Sequence, residues 1–353
     1  MNSMILQRSA FLTMLRSILL LAILSAGLVT HGIIAHAEPQ QARTVSSGAN
    51  GGLRVFVEPD AGDQVILGAI NNAQQSISLV MYILTYDKVI NALEQAAQHG
   101  IDVRVMLDPD PDGVSPPTAT FKALSAAGVK VKNSNPAFEV THEKAMVIDG
   151  TTAYILTSNF TISSLGATSR AASREYGIID TNRADVDTVL TVFNDDWDRI
   201  AYTSVSNTAM VLSPLNSRSA FVSLINGAKH TLQIEAEQMK DSRIEQAIVS
   251  AAVRGVKVQV ILPASEPGND DGIDTLTEGG VSVALDYQYY MHAKMMSVDG
   301  KKAFVGSVNI LTSSFDNNRE LGILVTDTSV LSTLQSTFQY DWAQSDEIVQ
   351  SGD

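Results

Sequence analysis

Residues 141–150 read THEKAMVIDG and residues 291–300 read MHAKMMSVDG. Each stretch places a histidine and a lysine two apart in an apolar run, His142 with Lys144 and His292 with Lys294. Each then places an aspartate before a glycine, Asp149 and Asp299. Side chains alternate faces along a strand, so each His/Lys pair projects to one side. Asp-Gly is a hairpin signal, and a second apolar run follows it. That run is AYILTSNF in the first case, with Thr157 and Asn159, and AFVGSVNI in the second, with Gly306, Ser307 and Asn309. A hairpin returns each asparagine to the side of its histidine and lysine. Imidazole titrates near neutral pH and serves as nucleophile or acid, lysine is a point charge for a phosphoryl oxygen, and an asparagine amide donates. Together they are the groups that cleavage of a phosphodiester needs.

A lone histidine in an apolar strand is more often a satisfied core residue, and a lone Asp-Gly is usually a plain turn. Here the pattern recurs in register with a duplication of the surrounding chain. AAQHGIDVRVML (96–107) matches AAVRGVKVQVIL (251–262), and LSAAGVKV (124–131) matches LTEGGVSV (276–283). Phe193 and Trp197 match Phe338 and Trp342, pairs four apart that share a helix face and belong in a core. Of the four histidines beyond residue 37, two stand at the motif position. His99 and His230 have no histidine counterpart in the other half and read as surface residues. Glu175 (SREYGI) and Glu320 (NRELGI) begin matching apolar runs, and a histidine nucleophile needs a partner on its other ring nitrogen. These two are therefore the candidate orienting acids, with Asp149 and Asp299 read as structural turn residues.

The elements that carry these residues alternate. SISLVMY (76–82) has strand composition, DKVINALEQAAQHG (87–100) has helical periodicity ending at a glycine, and VRVML (103–107) suits a buried strand. Alternation of this kind predicts α/β layering, and the duplication predicts two similar α/β/α sandwich domains, residues 53–203 and 204–353, related by a pseudo-twofold with one site between them. The loops at 108–117 and 263–274 follow equivalent strands and are expected at the cleft. DPDPDG opens like a calcium loop but has Ala119 where the ligating glutamate belongs, so no metal site is assigned.

The chain has 353 residues, no cysteine and a formal net charge of -14. Disulfides, thiolate metal sites and cysteine nucleophiles are thereby excluded. The acidic balance argues against a nucleic acid as general partner. Arg8 and Arg16 are the charged residues before Glu38; an apolar stretch and Ala35-His36-Ala37 follow them, the pattern of a cleaved export signal over 1–37. The polar Gly/Ser-rich segment 38–52 reads as a linker. A secreted or periplasmic protein is expected, with an uncleaved membrane anchor as the alternative.

From about Leu53 to Trp342 the sequence resembles the phospholipase D superfamily, whose signature is His-x-Lys-x4-Asp followed by Gly-Ser-x-Asn. The second motif matches in full through His292, Lys294, Asp299, Gly306, Ser307 and Asn309. The first has Leu156 and Thr157 in place of Gly-Ser, which puts bulk where the family's backbone runs close to the phosphate. The resemblance implies that Lys144, Lys294, Asn159, Asn309, Ser307 and Thr157 hold the phosphate, with no cofactor. It also implies a phosphohistidine intermediate, and family habit makes His142 the nucleophile and His292 the acid; the residues themselves do not decide between them. An acid at the distance of Glu175 and Glu320 is a family feature. The expected activity is hydrolysis of phospholipid head groups at a membrane surface by a monomer, since one chain holds both motifs. A cardiolipin synthase-like phosphatidyl transferase is the alternative, and a nuclease of the same superfamily a further one. A two-lobed solute-binding protein shares the length and the signal, but has no use for two His-x-Lys motifs in register. Tyr287, Tyr289 and Tyr290, just before the second motif, are candidates to touch a head group or equally to be ordinary aromatics.

Overall fold

The computed structural model describes residues 52–166 and 172–348, together with the backbone of 45–47. The expected signal over 1–37 lies outside the described residues. Within the expected linker, Val45–Ser47 is an edge strand, antiparallel to Leu53–Glu58 with Val45 opposite Phe56. That part of 38–52 is sheet, where the sequence suggested a spacer. Its Gly/Ser content hides a pairing that backbone hydrogen bonds alone can make.

Each repeat builds one sheet. In the first the strands lie in the order Leu53–Glu58, Ser173–Asp180, Thr152–Leu156, Ala145–Ile148, Ser76–Met81, Asp102–Leu107 and Lys130–Asn133. The second has the matching order Met210–Ser213, Glu320–Val325, Lys302–Gly306, Lys294–Val298, Thr231–Ala236, Lys257–Pro263 and Ser282–Asp286. The three strands at one end of each sheet run parallel, joined by crossover helices, and the motif hairpin beside them is antiparallel. Strands covered on both faces must be apolar nearly throughout, and Ile77, Leu79, Val80 and Met81 are all buried.

One cluster of apolar side chains fills each lobe beneath its outer helices. A third lies between the lobes and draws on both sheets, Val55, Ile155 and Ile178 from one and Leu212, Val305 and Ile323 from the other. The long helices Arg183–Asp198 and Thr328–Gln344 close this central core. Phe193 stacks on Trp197 at 5.7 Å and Phe338 on Trp342 at 6.0 Å, as a spacing of four on a helix requires. The two repeats thus form one compact body.

Two buried ion pairs cross from lobe to lobe. Arg174 makes a two-bond contact with Asp341, 2.6 and 2.7 Å, and Arg319 does the same with Asp196, 2.7 and 3.0 Å. Fork-to-carboxylate geometry offsets the desolvation cost that a looser buried pair would carry. The backbone crosses at the same places. Tyr290–Met291 pairs in parallel with Ser173–Arg174, and Thr141 bridges Arg319. The residue before each motif histidine is therefore stitched to the residue before the other lobe's glutamate. Among the described residues no helix is long and apolar enough to cross a membrane.

Candidate active site

That stitching decides which carboxylate meets which histidine. His142 Nδ1 lies 3.0 Å from Glu320 Oε2, and His292 Nδ1 lies 2.7 Å from Glu175 Oε1. Each histidine is held by the glutamate of the opposite half. The first contact has hydrogen-bond geometry; the second is close but too oblique for a well-formed hydrogen bond. Glu175 and Glu320 are fully buried. Burial alone would raise the Glu320 carboxyl, but His142 and Lys144 outweigh it and hold the group below the usual carboxylate range. Burial pushes the His142 imidazole down, against the pull of Glu320, so its neutral form is favoured. A neutral imidazole whose Nδ1–H points to a carboxylate leaves Nε2 with a lone pair, which is what a nucleophile requires.

Both histidines, with Asn159, Asn309, Tyr82 and Glu237, line one cavity of about 290 Å³. Lys144 and Lys294 lie beneath it, each donating to the carbonyl of its own histidine, at 2.8 and 2.6 Å. Burial, and then the neighbouring Lys294, lowers the Lys144 ammonium to about 7. The predicted set of His142, His292, Lys144, Lys294, Asn159 and Asn309 is thus brought together.

Thr157 and Ser307 are placed differently. Both are fully buried. Thr157 Oγ1 donates to Glu175 Oε2 at 2.6 Å and accepts from Tyr176 N at 2.8 Å, while Ser307 Oγ accepts from Leu321 N at 3.1 Å. They tie the glutamate-bearing strands in place, with their hydroxyls engaged there and not in the cavity. Leu156 likewise sits in the apolar core of its lobe and does not line the cavity. Gly306 is needed for packing: a Cβ there would run into Gly322 Cα and the Leu321 carbonyl.

Asp149 and Asp299 are turn residues at φ 52° and 54°. Asp149 caps the amides of Gln74, Gln75 and Ser76, and Asp299 those of Lys229, His230 and Thr231. Each fixes the motif hairpin to the start of the neighbouring strand. Tyr287 is exposed, Tyr289 covers Arg174 at 4.5 Å, and Tyr290 bonds to Glu237 and Glu266. Of the expected cleft loops, 108–117 reaches the cavity through Asp112. Among the described residues no group of three or more His, Asp or Glu is arranged to hold a metal ion.

Sequence reasoning missed Glu237. Its carboxylate accepts from Lys294 Nζ at 2.8 Å and Asn309 Nδ2 at 3.1 Å, and lies 3.5 Å from His292 Nε2. A signal existed in the repeat, because the residue just past the strand Ser76–Met81 is Tyr82 in the first half, and the one just past Thr231–Ala236 is Glu237 in the second.

A duplicated α/β/α scaffold that brings two His/Lys/Asn sets to one cavity, each histidine held by a glutamate across the pseudo-twofold, defines a phospholipase D superfamily protein. The chain matches the family model described as "Cardiolipin synthase, PLD-like domain" over residues 66–197 and 221–342, and belongs to that family. A cardiolipin synthase of Oceanobacillus iheyensis is 24% identical over 340 residues, covering 85% of this chain and 70% of the relative. Among solved structures, phosphatidylserine synthase of Haemophilus influenzae superposes with a TM-score of 0.67 at 13% identity, over 84% of this chain and 87% of that one. Polyphosphate kinase of Porphyromonas gingivalis also gives 0.67, at 17% identity, but the chain, 85% covered, spans about half of it, 49%. The two likenesses in structure show the shared fold.

Proposed function

We propose that the protein is a phosphatidyl transferase, which cleaves a phospholipid phosphodiester and passes the phosphatidyl group to an alcohol. One observation carries this reading: two imidazoles share a cavity, each backed by a buried carboxylate of the opposite half and flanked by a lysine and an asparagine. In the reaction, His142 Nε2 attacks phosphorus while its Nδ1–H keeps donating to Glu320. The bond from phosphorus to the head-group oxygen breaks, and His292 Nε2 gives that oxygen its proton. The acceptor alcohol then loses its proton to His292 and attacks the phosphohistidine, releasing His142. Lys144, Lys294, Asn159 and Asn309 hold the phosphoryl oxygens as charge shifts onto them.

Water in place of the alcohol would give phospholipase D hydrolysis, the activity expected from the sequence. Similarity to a relative named cardiolipin synthase supports the alcohol as acceptor. The proposal includes export by residues 1–37, checked by N-terminal sequencing of the mature protein. The deciding experiment gives purified protein phosphatidylglycerol vesicles and identifies the lipids formed. Cardiolipin and free glycerol are the expected products. Phosphatidate alone would assign hydrolysis. Inert lipids together with cleavage of a DNA oligomer would replace the proposal with a nuclease.

A further inference from the structure

The second half's phosphate-binding donors already hold an anion. Glu237 Oε2 accepts from Lys294 Nζ at 2.8 Å and Asn309 Nδ2 at 3.1 Å, with His292 Nε2 at 3.5 Å. In the proposed reaction Lys294 and Asn309 hold a phosphoryl oxygen, and His292 Nε2 serves the leaving oxygen. The first half differs. Tyr82 stands at the equivalent strand end, its ring 5.2 Å from Lys144 Nζ, and among the described residues no carboxylate pairs with that lysine. The second motif is therefore neutralised from within, and the first is not.

Glu237 has little room to leave. Its carbonyl accepts from Asn269 Nδ2 at 3.0 Å, and Asn269 Oδ1 accepts from the amide of Met239 at 2.9 Å. The backbone on which Glu237 stands is thereby pinned just beyond the Thr231–Ala236 strand. When a phosphoryl oxygen takes Lys294 and Asn309, the carboxylate withdraws by side-chain rotation alone. Tyr290 OH, 3.2 Å from Oε1, bounds that rotation. Deeper retreat is opposed by Glu266, which Tyr290 OH reaches at 2.8 Å and which Lys240 already neutralises at 3.0 Å. A negative charge thus stays within a few ångströms of the bound phosphate.

We infer that Glu237 is a specificity-determining residue that makes the site accept a singly charged phosphodiester and turn away a doubly charged phosphomonoester. The inference rests on the phosphodiester reading of the site. A carboxylate kept nearby by its pinned backbone repels each negative charge on the ligand, so a dianion meets about twice the repulsion of a monoanion. Without Glu237 the charge of Lys294 would be unpaired and would favour the dianion. With it, the diester enters and a monoester such as phosphatidate, the product of stray hydrolysis, is released.

Methyl phosphate and dimethyl phosphate test this, since they differ by one methyl group and, at pH 8, by one charge; a phosphomonoester's second pKa is about 6. Their binding is measured directly, by NMR titration of the folded protein, with no reliance on turnover. Wild type is expected to bind dimethyl phosphate more tightly. Glu237→Gln should tighten methyl phosphate on the order of tenfold or more, and dimethyl phosphate by less, reversing the preference. Glu237→Asp keeps the charge and should keep the wild-type order. Equal gains for both ligands in Glu237→Gln would make Glu237 a simple plug and overturn the inference. So would wild type preferring methyl phosphate at pH 8, a result that needs no variant. If neither ligand binds either protein in the cavity, the phosphodiester reading itself falls, and the inference with it.

Discussion

The two motif hairpins match in their His, Lys and Asn residues but not in charge. In the first, His142 has a well-formed bond to Glu320 and Lys144 lacks a carboxylate partner among the described residues, its ammonium lowered to about 7 by burial and by Lys294. In the second, His292 has a carboxylate near each ring nitrogen, Glu175 at 2.7 Å and Glu237 at 3.5 Å, and Lys294 is paired. A neutral imidazole suits attack on phosphorus. An imidazole with an acceptor at both nitrogens suits a group that must carry and deliver a proton. Duplication supplied two equal scaffolds, and a residue outside the signature, Tyr82 in one half and Glu237 in the other, made them unequal. The lesson is that the difference in charge between the halves lies at a strand end beside the motif.

Removing either imidazole should have the largest effect. His142→Ala and His292→Ala are each expected to lower turnover by about 10²–10⁴-fold or more, the cost of a lost nucleophile or acid. Near-wild-type turnover in either variant would mean that one half has no part in the reaction. The comparison sharpens with an activated phosphodiester, whose leaving group needs little protonation. His292→Asn, quenched quickly, should then carry acid-labile, base-stable phosphate label on His142. Label on His292 in the His142→Asn protein, and not the reverse, would exchange the two roles.

A smaller effect is expected from the crossed glutamates, and an unequal one. Glu320→Gln removes the charge that fixes the tautomer of the proposed nucleophile and should cost about 10–100-fold in kcat, the usual range for a group acting through another. Glu175→Gln should cost less, because its contact with His292 is oblique and Glu237 remains at the other nitrogen. Both variants should leave KM little changed, since neither carboxylate faces the cavity. An equal loss in the two, or a loss confined to KM, would mean that the asymmetry between the halves is geometric and without consequence for catalysis.

Much of this was legible in the sequence, for identifiable reasons. The repeated His-x-Lys and Asn positions stand out by a local spacing around a hairpin turn, although strand alternation does not set them: His142 and Lys144 precede the strand Ala145–Ile148, and His292 precedes Lys294–Val298. The capping role of Asp149 and Asp299 follows from Asp-Gly chemistry. The crossing of Glu175 to His292 and Glu320 to His142 was hidden, because it depends on how Thr141 and Met291 pair across the lobes, a long-range register that no local pattern encodes. Asp196 and Asp341 were hidden for the same reason: each stands before its tryptophan as an ordinary helix residue until the opposite arginine arrives. The partners of Thr157 and Ser307 were hidden because each residue stands just past its strand's end, where the neighbouring strand decides what the hydroxyl meets.

The smallest expected difference lies between Glu143 and Ala293, the residues enclosed by the two His-x-Lys pairs. Ala293 is buried among apolar neighbours. Glu143 is also buried, neither of its oxygens has a hydrogen-bond partner, and desolvation followed by the nearby Asp196 raises its carboxyl to about 8. The folded protein therefore keeps this proton at pH values where the unfolded chain, with a carboxyl near 4.5, has lost it. Folding binds a proton, so the contribution of Glu143 is fully present below about 4.5 and is lost as pH rises through about 8. Lys144 and His142 are both lowered by burial and give slopes of the opposite sign, so the wild-type profile alone does not isolate Glu143. The difference from Glu143→Gln does. Glutamine has the same shape and no charge at any pH, so whatever it costs is constant. Wild type should lose more Tm than Glu143→Gln between pH 5 and pH 8, by on the order of 2 °C or more. The same comparison made with Ala293→Ser should show no pH-dependent difference. Parallel Tm profiles for wild type and Glu143→Gln would mean that Glu143 ionises in the folded state as it does in water, and that the two halves are alike at this position in all but size.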